Sequence, residues 1–132
     1  DKMRRKSESN ALSHCETLMM KLIWDAEREL SIQEIIARFN ERYHRDYARS
    51  TIVTFLGKLT EKGYVSTRRE GKKAYIHAEV AEKPYMEQML REETDFWFGG
   101  SPSEMMSALF EAREISKEEI AKMRSILDVL DT

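Results

Sequence analysis

The sequence predicts a mostly α-helical chain with one small β-hairpin, divided into a compact N-terminal domain and a C-terminal group of amphipathic helices. Three observations carry this expectation. Apolar residues recur at helical spacing in six segments, three on each side of a pair of β-prone runs. Those runs, residues 64–69 and 74–78, flank a turn that contains Gly71. Charge is divided too: residues 1–80 carry 16 Lys+Arg against 12 Asp+Glu, and residues 81–132 carry 6 against 12, although the whole chain is only −2.

A length of 132 residues accommodates one compact domain plus a helical appendage, and excludes any large enzyme architecture. With 41% hydrophobic and 35% charged residues, the chain has globular rather than disordered composition. No stretch approaches the roughly 20 apolar residues that span a bilayer, and the first residues lack a signal-type apolar run, so a cytoplasmic location without membrane contact is expected. A single cysteine, Cys15, excludes an internal disulfide and a Cys-only metal site. His14, His44 and His77 are scattered, no nucleophile–base pair is evident, and no Gly-rich phosphate loop appears. His14 and Cys15 are helix neighbours that point about 100° apart, so they read as a solvated His beside a partly buried Cys. Neither enzymatic activity, nor a cofactor, nor a metal is expected.

Residues 1–10 are polar and basic with no apolar period, and read as a flexible arm in which Arg4, Arg5 and Lys6 are the cations. A first helix opens at Ser13, with Glu16 three residues on as in a capping box, and presents Leu18, Met19, Leu22, Ile23 and Ala26 to a core, with Trp24 at the edge. A second box, Ser31 with Glu34, opens a helix whose buried positions are Ile32, Ile35, Ile36 and Phe39. After a polar connection a third helix runs from near Ser50 to Lys62 and is stopped by Gly63. Its Ile52, Phe55, Leu56 and Leu59 face the core.

The opposite side of that third helix carries Ser50, Thr54, Gly57 and Glu61, flanked by Thr51, Val53 and Lys58. Short side chains there let a helix backbone approach another surface closely, hydroxyls can bond base edges, and Val53 can lie against a thymine methyl. The hairpin behind it holds Arg68, Arg69, Lys72 and Lys73 around its tip, against only Glu70. Three helices followed by a basic hairpin is the winged helix-turn-helix order, with the domain expected over residues 11–80. Arg49, Ser50, Thr51, Val53, Thr54 and Lys58 are then the candidate DNA-reading residues, and Arg68, Arg69, Lys72 and Lys73 the candidate wing contacts to phosphate. The locally basic part suits phosphate neutralisation, and the acidic remainder limits non-specific adhesion.

Residues 81–132 are expected to form a helical dimerisation domain. Tyr85, Met86, Met89, Leu90, Phe96 and Trp97 mark a fourth helix, ended by Gly99-Gly100 and a turn at Ser101-Pro102. Met105, Met106, Leu109 and Phe110 mark a fifth. A third box, Ser116 with Glu119, opens a sixth carrying Ile120, Met123, Ile126, Leu127 and Leu130. Three such helices cannot bury their apolar faces alone, and a second copy of the chain is the simplest partner. Met89, Phe96, Trp97, Met105, Met106, Leu109, Phe110, Ile120, Met123 and Leu127 are the candidate interface residues.

Over residues 12–130 the sequence resembles the penicillinase-repressor family of winged-helix transcriptional regulators. The resemblance rests on Leu22-Ile23-Trp24, on residues 31–36, on residues 47–59, on Glu61-Lys62-Gly63-Tyr64-Val65 leading to Glu70-Gly71-Lys72, and on Phe98-Gly99-Gly100-Ser101 and residues 115–120. It implies a homodimer that binds a palindromic double-stranded DNA operator and blocks transcription, with Ser50, Thr51, Val53 and Thr54 at the base-facing start of the recognition helix. Tyr47 stands where the family usually has Trp, and Ser50 and Val53 where it often has a basic residue, departures that bear on the operator sequence. The copper-responsive branch has a cysteine-rich C-terminal motif, absent after Cys15. The antibiotic-responsive branch is inactivated by a regulatory protease cutting at an Asn-Phe pair in the segment matching residues 107–115, where the nearest match is Leu109-Phe110. Two other readings stay open: a winged-helix module for protein contacts, and a ligand-responsive regulator unrelated to antibiotics. A steep fall of affinity with salt distinguishes DNA from a protein partner.

Overall fold

Ser13 and Ser31 decide where the first two helices begin. In the computed structural model, which describes residues 11–132, both capping boxes are complete. The Ser13 hydroxyl accepts the Glu16 N–H at 3.2 Å while the Glu16 carboxylate accepts the Ser13 N–H at 3.3 Å. Helix α1 (His14–Ala26) follows and ends at Glu27, whose left-handed φ of 54° lets its N–H reach the Trp24 carbonyl. The reciprocal pair at Ser31 and Glu34 measures 3.1 Å in both directions and opens α2 (Ile32–Tyr43). The Arg28 guanidinium, 2.6 Å from Glu34, together with the Ser31 N–H, holds the Glu34 carboxyl down at about 2. The basic arm expected over residues 1–10 lies outside the described residues.

Helix α3 spans Arg49–Glu61, one residue earlier at each end than the sequence suggested. Its N-cap, Ala48, has no side chain to cap with. The entry is set from α2 instead: the Asn40 amide donates to the Tyr47 carbonyl at 3.1 Å and accepts the Tyr47 N–H at 3.0 Å. At the other end Gly63, with φ of 84°, turns the chain into the sheet.

The expected hairpin is present as β2 (Val65–Glu70) and β3 (Lys73–Ala78), but it gains a third strand. Residues Leu30–Ser31 form β1, which pairs antiparallel with β3, so the order is β1-β3-β2. Register sorts the side chains. Val65, Thr67 and Arg69 share one face with Ala78, Ile76 and Ala74, while Ser66, Arg68 and Glu70 share the other with His77, Tyr75 and Lys73. The first face is closed over by helix: Val65 and Ile76 join Met19, Met20, Leu22, Ile23, Leu30, Ile35, Phe39, Ile52, Leu56 and Leu59 in one core. Phe55, expected in that core, is half-buried and meets Tyr47 edge to face at 5.7 Å.

The described chain divides into two compact units, one ending at Tyr85 and the other Met86–Thr132. Helix α4 (Glu82–Phe98) starts in the first, where Tyr85 packs on Trp24 and Tyr64. The second unit continues with α5 (Pro102–Ala112) and α6 (Lys117–Leu130). Ser101, read from sequence as a turn residue, is the N-cap of α5, accepting the Glu104 N–H, with Pro102 in the first helical turn. At α6 only the Ser116 half of the expected box forms. No residue of α4, α5 or α6 is buried.

One ion pair ties α3 to α1. Lys62, just past α3, donates to the Glu16 carboxylate and, at 2.8 Å, to the Ala11 carbonyl. Glu16 is only 2% exposed. Burial pushes its carboxyl up, but the Lys62 ammonium and the Ser13 hydroxyl and N–H outweigh that, so the net shift is downward. Replacing Lys62 by Met strands a buried carboxylate and is expected to cost about 3–5 kcal/mol in urea unfolding. Because the folded carboxyl lies below its unfolded value, the stabilisation is fully present above about pH 4.3 and is lost as pH falls through the lower folded value. In Lys62→Met that acid-dependent loss should shrink; an unchanged acid limb would rule out the pair as its source.

Candidate nucleic-acid interface

On α3 the buried residues Ile52, Leu56 and Leu59 face the core, which turns Arg49, Ser50, Val53, Thr54, Gly57 and Lys58 to the exposed side. Thr51 is half-buried at its edge. Val53 is 42% exposed, an apolar side chain left open to solvent in a short helix. The Thr54 hydroxyl donates to the Ser50 carbonyl at 2.9 Å. With its proton committed there, Thr54 offers outward a methyl group and an oxygen that can only accept.

The wing cations separate into two groups. Arg69, Lys72 and Lys73 line a recess of about 120 Å³ together with Arg49 from the start of α3 and Ser31, Ile32 and Gln33 from the start of α2. Among the described residues none of these four cations has an ion pair. Arg68 lies on the sheet face opposite Arg69 and is engaged by carboxylates instead. Its guanidinium bonds Glu29 at 2.9 and 3.0 Å and Glu70 at 3.1 Å, and lies 4.9 Å from the Tyr75 ring centre. His77 stands near the same carboxylate, 3.8 Å from Glu29. The Arg68 guanidinium pulls the Glu29 carboxyl below its ordinary value, against a smaller upward effect of burial.

Gln33 and Glu29 carry no local sequence signal for a role here. Gln33 belongs to the first turn of the second helix, a position the helix-turn-helix order alone points to. Glu29 lies 39 residues from Arg68, and nothing local marks the pairing.

Of the candidate interface residues in the second unit, Met89, Phe96, Trp97, Leu109, Phe110 and Leu127 are exposed, Phe96 at 76% and Trp97 at 68%. Met105, Met106, Ile120 and Met123 are half-buried. Phe96 and Trp97 stack edge to face at 4.9 Å, and the Thr94 hydroxyl donates to the Leu90 carbonyl with the Met105 sulfur 3.7 Å away. Leu109 and Phe110 both lie within α5. Among the described residues no helix is long and apolar enough to cross a membrane, and no group of three potential metal ligands assembles.

Residues 12–129 match the family described as Penicillinase repressor. The penicillinase repressor of Bacillus licheniformis is 25% identical over 117 residues, covering 89% of each chain. An uncharacterised 16.5 kDa protein from the ptsI 3' region of Latilactobacillus sakei is 24% identical over 119 residues, covering 90% of this chain and 80% of its own length. Reduced HlyU from Vibrio cholerae N16961 superposes with a TM-score of 0.47 at 20% identity, over 69% of this chain and 94% of its own.

The separation of Arg68 from the other wing cations is directly measurable. In Arg68→Ala the Glu29 carboxyl should titrate back up toward its ordinary value, followed by carboxyl carbon shifts in NMR. A Glu29 titration that ignores the loss of Arg68 would mean that this guanidinium is free.

Proposed function

The chain belongs to the penicillinase repressor family of winged-helix transcriptional regulators, and on that premise we propose that it represses transcription by binding a palindromic DNA operator as a homodimer. The observation that carries this reading is the recess where Arg49, Arg69, Lys72 and Lys73 converge beside the exposed side of α3, with no ion pair among the described residues. Four cations held close together on one concave surface repel one another, and a phosphodiester relieves that repulsion while releasing the counterions condensed on DNA. In this reading α3 enters the major groove. Val53 meets a thymine methyl, and the acceptor-only oxygen of Thr54 accepts a hydrogen bond from an adenine N6 or cytosine N4 amino group. Arg69, Lys72 and Lys73 hold backbone phosphates and set register, while Arg68 braces the wing through Glu29 and carries little of the DNA contact.

The exposed apolar side chains of α4, α5 and α6 support pairing with a second copy, because helices with no fully buried residue leave apolar surface in water that association would cover. Release from the operator follows from whatever breaks that pairing, by proteolysis at Leu109-Phe110 or by another signal acting on α5. Because those two residues are helical, a protease must first unwind that turn.

Selection from a randomised duplex library should return an inverted repeat, and Thr54→Glu should abolish binding to it in a gel-shift assay with the fold intact by circular dichroism. Selection that returns no preferred sequence rejects the reading. Neutralising Arg69, Lys72 and Lys73 together should flatten the slope of log affinity against log salt by up to about five units, at roughly 0.9 per phosphate with three cations in each of two protomers, whereas Arg68→Ala should leave the slope nearly unchanged. For the dimer, Phe110→Asp with Leu127→Asp should give a monomer by light scattering and lower operator affinity by about 10²–10⁴, the advantage of an intramolecular second contact. A double variant that stays dimeric places the interface elsewhere.

A further inference from the structure

Gly57 lies in the interior of α3, where a glycine weakens a helix relative to alanine because its backbone has more freedom to lose. A glycine kept in such a place answers to one of three needs: a left-handed backbone, another part of the chain pressing against it, or something outside the chain pressing against it. The first does not apply. Among the described glycines, positive φ is confined to Gly63, Gly71, Gly99 and Gly100. The second does not apply either, since a Cβ built on Gly57 meets no atom within 4 Å, whereas one built on Gly100 meets an Asp95 carboxylate oxygen at 3.3 Å.

We infer that Gly57 marks the point where DNA comes into van der Waals contact with the α3 backbone, so that an added methyl would hold the helix off its operator. The inference rests on the reading of α3 as the groove-entering helix. Gly57 shares the exposed side with Val53 and Thr54, one turn before it, and is followed by exposed Lys58, which has no ion pair among the described residues. A Cβ would project about 1.5 Å beyond the helix backbone. Standing the helix off by that distance lengthens every base contact of Val53 and Thr54 at once. The glycine therefore trades helix stability for depth of insertion, and the two quantities should move in opposite directions when it is replaced.

The test compares Gly57→Ala and Gly57→Leu with the parent, in the full chain, against the duplex selected from the randomised library and against an arbitrary duplex of equal length. Gly57→Ala should melt several degrees higher, keep the parent's mass in light scattering, and bind the selected duplex at least tenfold more weakly. Affinity for the arbitrary duplex should change less than twofold, because loose electrostatic binding does not require deep insertion. Gly57→Leu, also a good helix former, should bind the selected duplex more weakly still. Undiminished affinity in Gly57→Ala overturns the inference, as does a lower melting temperature, which would make the glycine a need of the fold, or a change of mass, which would make it a protein contact. Thr54→Glu separates the two levels. If it abolishes binding while Gly57→Ala does not, only the close approach at Gly57 is lost; if neither affects binding, the groove reading of α3 falls with it.

Discussion

A single carboxylate, that of Glu16, is the constraint on which the placement of the exposed helix face depends. It closes the cap of α1 and in the same position receives the ammonium of Lys62 from the end of α3. A buried charge costs several kcal/mol unless it is paired and hydrogen-bonded, so the protein cannot let α3 drift from α1 without exposing that cost. At the opposite end of α3 the Asn40 amide brackets Tyr47 on both its N–H and carbonyl. Helix α3 is thus fixed at both ends by side chains of other helices, and the side not used for fixing is the one with no buried residues.

The same economy sorts the cations. Lys21, Arg28, Arg42, Lys62 and Arg68 are each matched to a carboxylate. These are groups that hold helices and strands together, and most are exposed enough that each pair contributes little by itself. Arg49, Arg69, Lys72 and Lys73 are gathered in one recess and have no such partner among the described residues. An average charge near neutrality hides this, because internal pairing neutralises cations and anions against one another and leaves the unpaired ones to define what the surface attracts.

Much of the architecture was legible in the sequence where a local rule decides it. Ser13 and Ser31, each followed three residues later by glutamate, mark helix starts without reference to tertiary structure, and Gly63 marks a stop by its backbone freedom. What escaped was decided over distance or by doubled roles. Strand β1 has only two residues, one of which, Ser31, is also the cap of α2. Ser101 sits in a Gly-Gly-Ser-Pro run that reads as a turn although its hydroxyl begins a helix. Arg68 and Arg69 are chemically identical neighbours, indistinguishable by residue type, yet the two-residue period of a strand sends them to opposite faces. That period was available from sequence; which face meets Glu29 was not, since the carboxylate lies 39 residues away. On the third helix the exposed positions could be derived by subtracting the core positions, and the commitment of the Thr54 proton to Ser50 could not.

The absence of any buried residue in α4, α5 and α6 bears on dosage. In a homodimer of the kind proposed, helices with no interior of their own borrow one from their counterpart, so their order becomes a function of how many copies of the chain are present. Were the proposed dimer to form, monomers would predominate at low copy number and two-handed grip on DNA would grow with the square of concentration, turning a gradual change in synthesis or turnover into a sharper change in transcription. A chain with a self-sufficient C-terminal core would respond in simple proportion.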